Sequence, residues 1–236
     1  MQDFGDAFFL ALGLVVSPSA DLLEIVGLSL RVSFTATAIA CLIGLPLGAL
    51  IAVTRFRGRT AALVALNALM GLPPVVVGLA VYLALSRAGP MGFLGLLYSP
   101  TAMIIAQAIL VTPIVAALSR QFLEDLHDEY AEQFRSLCLT RRQVMQALLW
   151  DGRFALLTVA LAGFGRAVAE VGAVMIVGGN IDHLTRVMTT AITLETSKGE
   201  LALAMALGIV LMVIALGVNA LVQSVRLSAE RWHVHA

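Results

Sequence analysis

Four stretches of this chain are long enough to cross a bilayer and carry no charged side chain: Val32 to Thr54, Thr60 to Ser86, Thr101 to Ser119 and Leu201 to Val225. A membrane-spanning helix needs roughly 20 mostly apolar residues, so these runs predict bilayer helices before anything else is considered. A fifth stretch, Phe154 to Val177, has the length but is interrupted by Arg166 and Glu170. Composition agrees, with 60% hydrophobic residues, 13% charged residues and a mean hydropathy of +0.95, outside the range of soluble globular domains. No charge run or low-complexity tract marks off a soluble domain. The expectation is an all-α integral membrane protein of about five transmembrane helices, forming one domain over residues 1–236.

The net charge is zero, which argues against nucleic acid as a partner and shifts attention to where the charges fall. Arg55, Arg57 and Arg59 crowd the first loop, Arg120, Arg135, Arg141, Arg142 and Arg153 the long central one, and Arg226 and Arg231 follow the last span. The alternate loops are poor in Lys and Arg. The positive-inside rule then places the N-terminus outside and the C-terminus in the cytoplasm, and five spans give the same alternation. Phe4 to Val16 is apolar but too short to cross, carries Asp6, and lacks the basic start and cleavage site of a signal peptide. It is expected to form an interfacial helix ending at Ser17-Pro18, the alternative being a poorly ordered tail. Cys41 falls within a span and Cys138 in a reducing loop, so neither is expected to be bridged.

Two spans carry features that a plain bilayer helix avoids. Pro73 and Pro74 remove two backbone donors and disfavour helix just before them, so the second span is expected to bend or break near mid-depth. Freed carbonyls are tolerated there only against protein or a watery cavity, which points to a pathway, with Gly71 and Gly78 allowing close backbone approach. A packing kink without further consequence is the competing reading. In the fourth span Arg166 and Glu170 stand one helical turn apart, and ionisable groups at such depth are functional candidates. They equally fit mutual neutralisation that glues helices together. Gly172, Gly178 and Gly179 loosen the backbone beyond them, and Asn180 suits a closing turn. The path or gate set is therefore Pro73, Pro74, Gly78, Arg166, Glu170, Gly172 and Asn180. Thr185, Thr189, Thr190 and Thr193 recur on an expected external helix, placed to donate to passing oxygens or to be solvated.

No catalytic constellation is present: His127, His183, His233 and His235 are scattered, and HExxH, CxxC, a Walker-type loop and a nucleophile elbow are all missing. The chain is expected to be non-catalytic and to bind no metal or cofactor of its own.

The segment "EQFRSLCLTRRQVMQALLW", Glu132 to Trp150, is amphipathic and charged in the middle of this apolar chain. Phe134, Leu137 and Cys138 share one helical face, and Val144, Leu148 and Leu149 form a second apolar set. Thr140 and Gln143 have capping-box spacing, which predicts two short helices meeting near Thr140. Arg141 and Arg142 then sit in a first turn, where they oppose the macrodipole. An acidic partner surface explains them, as do anionic lipid headgroups.

This segment resembles the cytoplasmic loop of bacterial ABC importer permeases, Glu-Ala-Ala, three residues, Gly, nine residues, Ile, one residue, Leu-Pro. Glu132 keeps the Glu; Gln133 and Phe134 stand for the alanines, Cys138 for the Gly, Leu148 for the Ile, and Trp150-Asp151 for Leu-Pro. "GLPPVVVGLAVYL" and "GFGRAVAEVGAVMIVGGNI" resemble spans of molybdate and tungstate permeases. "PLGALIAVTRFRGR", "LTRRQVMQALLWDGRFALL" and "AEVGAVMIVGGNIDHLTRVMTTAITLETSKGE" are similar to the tungstate group in particular. The likeness covers most of Val26 to Val225.

The resemblance implies a permease of the type I importer kind in a prokaryotic cell membrane, importing an oxyanion, tungstate first, with molybdate or sulfate as alternatives. It implies a second copy of the chain across the path and an extracytoplasmic binding protein. It further implies two cytoplasmic ATPase subunits, which bind ATP and Mg. Glu132, Phe134, Leu137, Cys138, Leu139, Thr140, Arg141 and Arg142 would then couple to those ATPases, the apolar members filling a cleft and the charged ones fixing register. From another class, a passive channel or a membrane assembly scaffold also fits the apolar runs.

Overall fold

The computed structural model describes residues 4–17 and 19–234, with side chains from 8 to 224 apart from Pro18. Among these residues the regular structure is helical: α1 (Phe4–Val16), α2 (Ala20–Val53), α3 (Arg59–Met70), α4 (Pro74–Leu85), a 3-10 turn (Gly92–Leu94), α5 (Pro100–Glu129), α6 (Ala131–Ser136), α7 (Arg141–Asp151), α8 (Arg153–Val168), α9 (Gly172–Gly178), α10 (Met188–Lys198) and α11 (Leu201–Val234). The expected N-terminal helix is present as α1; Pro18, its expected stop, lies outside the described residues.

Among the described residues three helices are long and apolar enough to cross a membrane, Ala20–Val53, Pro100–Glu129 and Leu201–Ser224, and counting two bent pairs raises the number to five. The two pairs are α3 with α4 and α7 with α8. The sequence places the first span at Val32, but the helix begins at Ala20 and takes in Asp21, Glu24 and Arg31. Helical hydrogen bonding does not stop where hydrophobicity does, so charge marks the edge of the apolar run rather than the edge of the helix.

The chain resolves into two compact units, each drawn from three separate segments. The first unit comprises residues 1–36, 73–107 and 165–218. In it α4 lies against α9, and the Met188 N–H at the start of α10 donates to the Ser29 hydroxyl of α2 at 2.7 Å. That bond satisfies a helix-start donor that has no intrahelical acceptor.

The second unit comprises residues 37–72, 108–164 and 219–236. Its organising contact is the crossing of α2 on α5. A methyl group on Gly48 would meet the Ser119 hydroxyl at 2.1 Å and the Ala116 carbonyl at 2.7 Å, and one on Gly44 the Thr112 carbonyl at 3.0 Å. This Gly-x-x-x-Gly face lets backbones meet where no side chain fits. Beyond it a core of Ala49, Ala52, Leu123, Val144, Leu148 and Leu156 joins α2 and α5 to α7 and α8. The turn from α7 into α8 bends by 73° at Gly152, where an added methyl would strike the Leu148 carbonyl at 2.9 Å.

Candidate functional site

Within the first unit the candidate path residues gather where two helices are interrupted. Helix α3 stops at Met70 and α4 restarts at Pro74, with Pro73 extended at φ −63° and ψ 123°, so the expected break at the proline pair is present. Pro74 occupies the first helical position, where its missing N–H costs nothing. The second interruption separates α8, which ends at Val168, from α9, which begins at Gly172.

The two restarted helices meet closely. A methyl on Gly78 of α4 would stand 2.7 Å from the Ala173 α-carbon, and one on Gly172 would stand 2.8 Å from Val75. Gly78 and Gly172 are thus required by the crossing itself. Pro73 and Pro74 lead into it on one side, and Glu170 precedes it on the other.

Arg166 and Glu170 do pair, Arg166 Nη1 to Glu170 Oε2 at 2.6 Å, but not as neighbours on one helix. Glu170 lies past the end of α8, in the break, and is 95% buried, whereas Arg166 is 39% exposed. The other carboxylate oxygen accepts the Ala173 N–H at 3.3 Å, and the Glu170 carbonyl accepts the Thr189 hydroxyl at 2.9 Å. Gln107 of α5 donates from Nε2 to the Ala167 carbonyl at 3.0 Å. The Ala167 and Glu170 carbonyls and the Ala173 N–H at the break therefore have partners, as a bilayer interior demands of freed backbone groups.

Past α9 the chain turns through left-handed residues at Gly179 (φ 71°), Asn180 (φ 51°) and His183 (φ 54°). Asn180 makes one long bond, Nδ2 to the Thr190 carbonyl at 3.4 Å. Of the threonines near it, three are buried and Thr193 is exposed. Thr185, Thr189 and Thr190 are buried; Thr185 donates to the Gly178 carbonyl at 2.6 Å, and Thr190 accepts the Val187 N–H at 3.1 Å. Thr193 bonds to the Thr189 carbonyl. Thr185 thus closes the turn on Gly178 and Ile181, Thr189 ties α10 to the Glu170 carbonyl, and Thr193 stays at the surface.

Sequence reading missed Tyr98. It adopts φ 59°, donates its N–H to the Val177 carbonyl at 3.0 Å, and lays its ring where a side chain on Gly179 would be. Tyr82 meets it edge to face, ring centres 6.2 Å apart. A tyrosine in a short loop gives no periodic signal, so nothing in the sequence singled it out.

A pocket in the same unit is lined by Asp21, Glu24, Asp182, His183, Arg186 and Glu195. Its charges are largely matched: Arg186 with Asp182 at 2.6 Å, Lys198 with Glu195 at 2.9 Å and His183 with Glu24 at 2.9 Å. The Glu24 hydrogen bond, helped by the charge of Asp182, raises the His183 pKa above its ordinary 6.5.

In the second unit, the candidate coupling residues form two short helices, as expected. Helix α7 starts at Arg141, with Gln143 Oε1 accepting both the Thr140 N–H at 2.9 Å and the Thr140 hydroxyl at 2.7 Å. Leu137 ends α6, and Cys138 turns the chain at φ 49°. The apolar residues divide. Phe134 and Leu139 pack on the unit's own core, Phe134 with its ring 5.8 Å from that of Tyr130. Leu137 is 67% exposed and Cys138 is exposed. Glu132, Arg141 and Arg142 also face outward. A groove beside them is lined by Val53, His127, Phe134, Arg135, Cys138 and Arg141. Tyr130 bonds to Asp151, which raises its phenol pKa above the ordinary 10 and ties the start of this segment to the end of α7.

The family described as "binding-protein-dependent transport system inner membrane component" matches residues 44–227. The tungstate uptake system permease protein of Peptoclostridium acidaminophilum is 41% identical over 226 residues, 96% of this chain and 99% of that protein. A probable anion ABC transporter permease protein of Haloferax volcanii is 38% identical over 205 residues, 85% of this chain and 88% of its own. The tungstate uptake system permease protein of Campylobacter jejuni is 43% identical over 150 residues, 64% and 63%. Permeases named for molybdenum and sulfate transport match at lower identity. The chain is a membrane permease and belongs to the ABC importer family described as the inner membrane component of binding-protein-dependent transport systems.

Proposed function

We propose that the chain is the membrane-spanning, non-catalytic subunit of an ATP-driven oxyanion importer with tungstate as its cargo. The single observation that carries the cargo is similarity along nearly its whole length to a permease named for tungstate uptake. A second copy of the chain completes the path, an extracytoplasmic binding protein delivers the anion, and two cytoplasmic ATPases hold ATP and Mg. Residues 1–236 act as one permease domain in a prokaryotic inner membrane, N-terminus outside and C-terminus in the cytoplasm, in keeping with the arginines of the loops after α2 and α5.

On this reading the segment from Glu132 to Gln146 is the receiving arm. Exposed Leu137 and Cys138 enter a cleft on the ATPase, Glu132, Arg141 and Arg142 set the register, and Thr140 fixes where α7 begins. Phe134 and Leu139 contribute differently, anchoring the arm to the core beneath it, so that a push on α6 reaches α7 and α8. ATP shifts the transporter only by binding one arrangement better than the other. The restarted helices α4 and α9 line the path, Pro73, Pro74, Gly78, Gly172 and Asn180 shaping the backbone. The buried Glu170 is neutralised by Arg166, so the dianion meets no bare carboxylate.

Uptake of labelled tungstate into cells lacking other carriers tests the reading, with molybdate and sulfate as competitors. ATP-dependent uptake blocked best by tungstate supports it. Stronger block by molybdate or sulfate reassigns the cargo. Nucleotide-independent conductance with no copurifying Walker-motif protein makes the chain a channel.

A further inference from the structure

We infer that Glu170 is a positioning residue for transport: its carboxylate sets the start of α9 and thereby the crossing of α9 on α4. The inference rests on the transport reading above and adds to it the element that keeps the path in register.

When a helix restarts inside a membrane its first N–H groups have no intrahelical acceptor and no water to replace one. At α9 the N-cap residue is Val171, which has no side-chain acceptor. Glu170 supplies one from the preceding position, through Oε1 to the Ala173 N–H. A carboxylate in that place also complements the positive end of the helix.

A buried charge with a single weak contact would not stay put. Here the second oxygen is held by Arg166 at 2.6 Å and the main-chain carbonyl by Thr189 at 2.9 Å. Glu170 thus joins α8, α9 and α10 through three different atoms. Gln107 restrains the same break from α5 by its bond to the Ala167 carbonyl. The residue whose amide Glu170 holds, Ala173, is the one against which Gly78 packs without room for a methyl. A shift of α9 by a fraction of an ångström is therefore felt at α4, because close-packed contacts transmit displacement instead of absorbing it. The far end of α9 is pinned by Tyr98 on Val177 and by Thr185 on Gly178, so the end that Glu170 holds is where the carboxylate governs its placement.

The test uses the full importer complex in proteoliposomes with its binding protein and ATPases, reading anion moved per ATP hydrolysed. Glu170→Leu, which keeps bulk and removes both acceptors, is expected to assemble and to lower anion moved per ATP by about tenfold, the scale of one lost charge-assisted hydrogen bond. Glu170→Gln keeps an acceptor for the Ala173 N–H and is expected to fall less. A merely structural role would reduce the amount of assembled complex and leave this ratio alone. If Glu170→Leu fails to assemble, Glu170→Gln, which keeps bulk but loses the charge that holds Arg166, is expected to lower the ratio in the same direction. An unchanged ratio in assembled Glu170→Leu overturns the proposal, as does an unchanged ratio in Glu170→Gln when Glu170→Leu does not assemble. Absence of ATP-driven uptake by the wild-type complex would overturn the transport reading itself, and that arm is read separately.

Discussion

Gly78 and Ala173 meet with no space between them: a methyl group on Gly78 would lie 2.7 Å from the Ala173 α-carbon and 3.2 Å from its carbonyl oxygen. Both obstacles are backbone, which cannot swing aside as a side-chain tip does. Gly78→Ala is expected to push α4 off α9, costing about 1–3 kcal/mol as overpacking does, and to depress uptake more than expression. Thermal unfolding in detergent, set beside uptake per assembled complex, checks it; wild-type values in both would mean that the crossing gives easily.

Glu124 sits between two guanidiniums, one oxygen bonded to Arg59 and the other to Arg120. All three side chains are roughly a quarter exposed or less, so the group lies between the surface and buried regimes. Glu124→Gln leaves two cations facing an amide and is expected to cost about 1–2 kcal/mol. Since partly buried pairs are screened less than surface ones, the loss should persist in high salt. A midpoint that matches wild type in low salt would show that solvent screens the triad fully.

Leu137 and Leu139 are two residues apart and face opposite fates. Leu137→Asp changes an exposed side chain, so stability should move by no more than about 0.5 kcal/mol while ATP hydrolysis separates from uptake. Leu139→Asp places a carboxylate against the unit's own core and should lower stability by several kcal/mol, roughly the penalty for an unpaired charge in a core. Parallel stability and uptake assays separate the two. Uncoupling by neither variant at full assembly would remove the arm from the mechanism.

His183 gives a pH signature. Its pKa is raised in the folded chain by Glu24 and Asp182, so the protonated pair steadies the loop fully below the unfolded value near 6.5 and the contribution disappears as pH rises through the elevated folded value. An NMR titration of the ring should give a midpoint above 6.5, and Glu24→Gln should bring it down. Equal midpoints in the two proteins would detach His183 from Glu24.

Cys138 carries a side chain in the left-handed region, φ 49°, where a β-carbon costs about 1–2 kcal/mol. Cys138→Gly is expected to raise stability by about 1 kcal/mol. A lower unfolding midpoint would mean that the thiol contributes contacts outweighing the strain.

Local chemistry was legible in the sequence and tertiary choice was not. The break at Pro73 and Pro74 follows from two missing donors, and the start of α7 at Arg141 follows from the Thr140 and Gln143 pair, so both could be placed from a few adjacent residues. The Arg166 and Glu170 contact was visible in their spacing, but not that α8 ends between them, because the break is stabilised by Gln107 and Thr189 from distant parts of the chain. Thr185, Thr189 and Thr190 look like a polar external face until their partners at Gly178, Glu170 and Val187 are in view, and all three are buried. Phe134 and Leu139 carry the same hydrophobic signal as Leu137, and only the core around Leu123 and Leu148 decides which of them turn inward. The α2 and α5 crossing had a readable sign, the four-residue spacing of Gly44 and Gly48, that hydropathy alone passes over.

The left-handed corner at position 138 separates shape from spelling. The importer loop that this segment resembles has glycine there, and this chain makes the corner with a bulkier residue. The corner here therefore does not depend on the residue that adopts this torsion most easily. Related chains that differ at this letter are expected to share the bend, and a search keyed to glycine would pass them by.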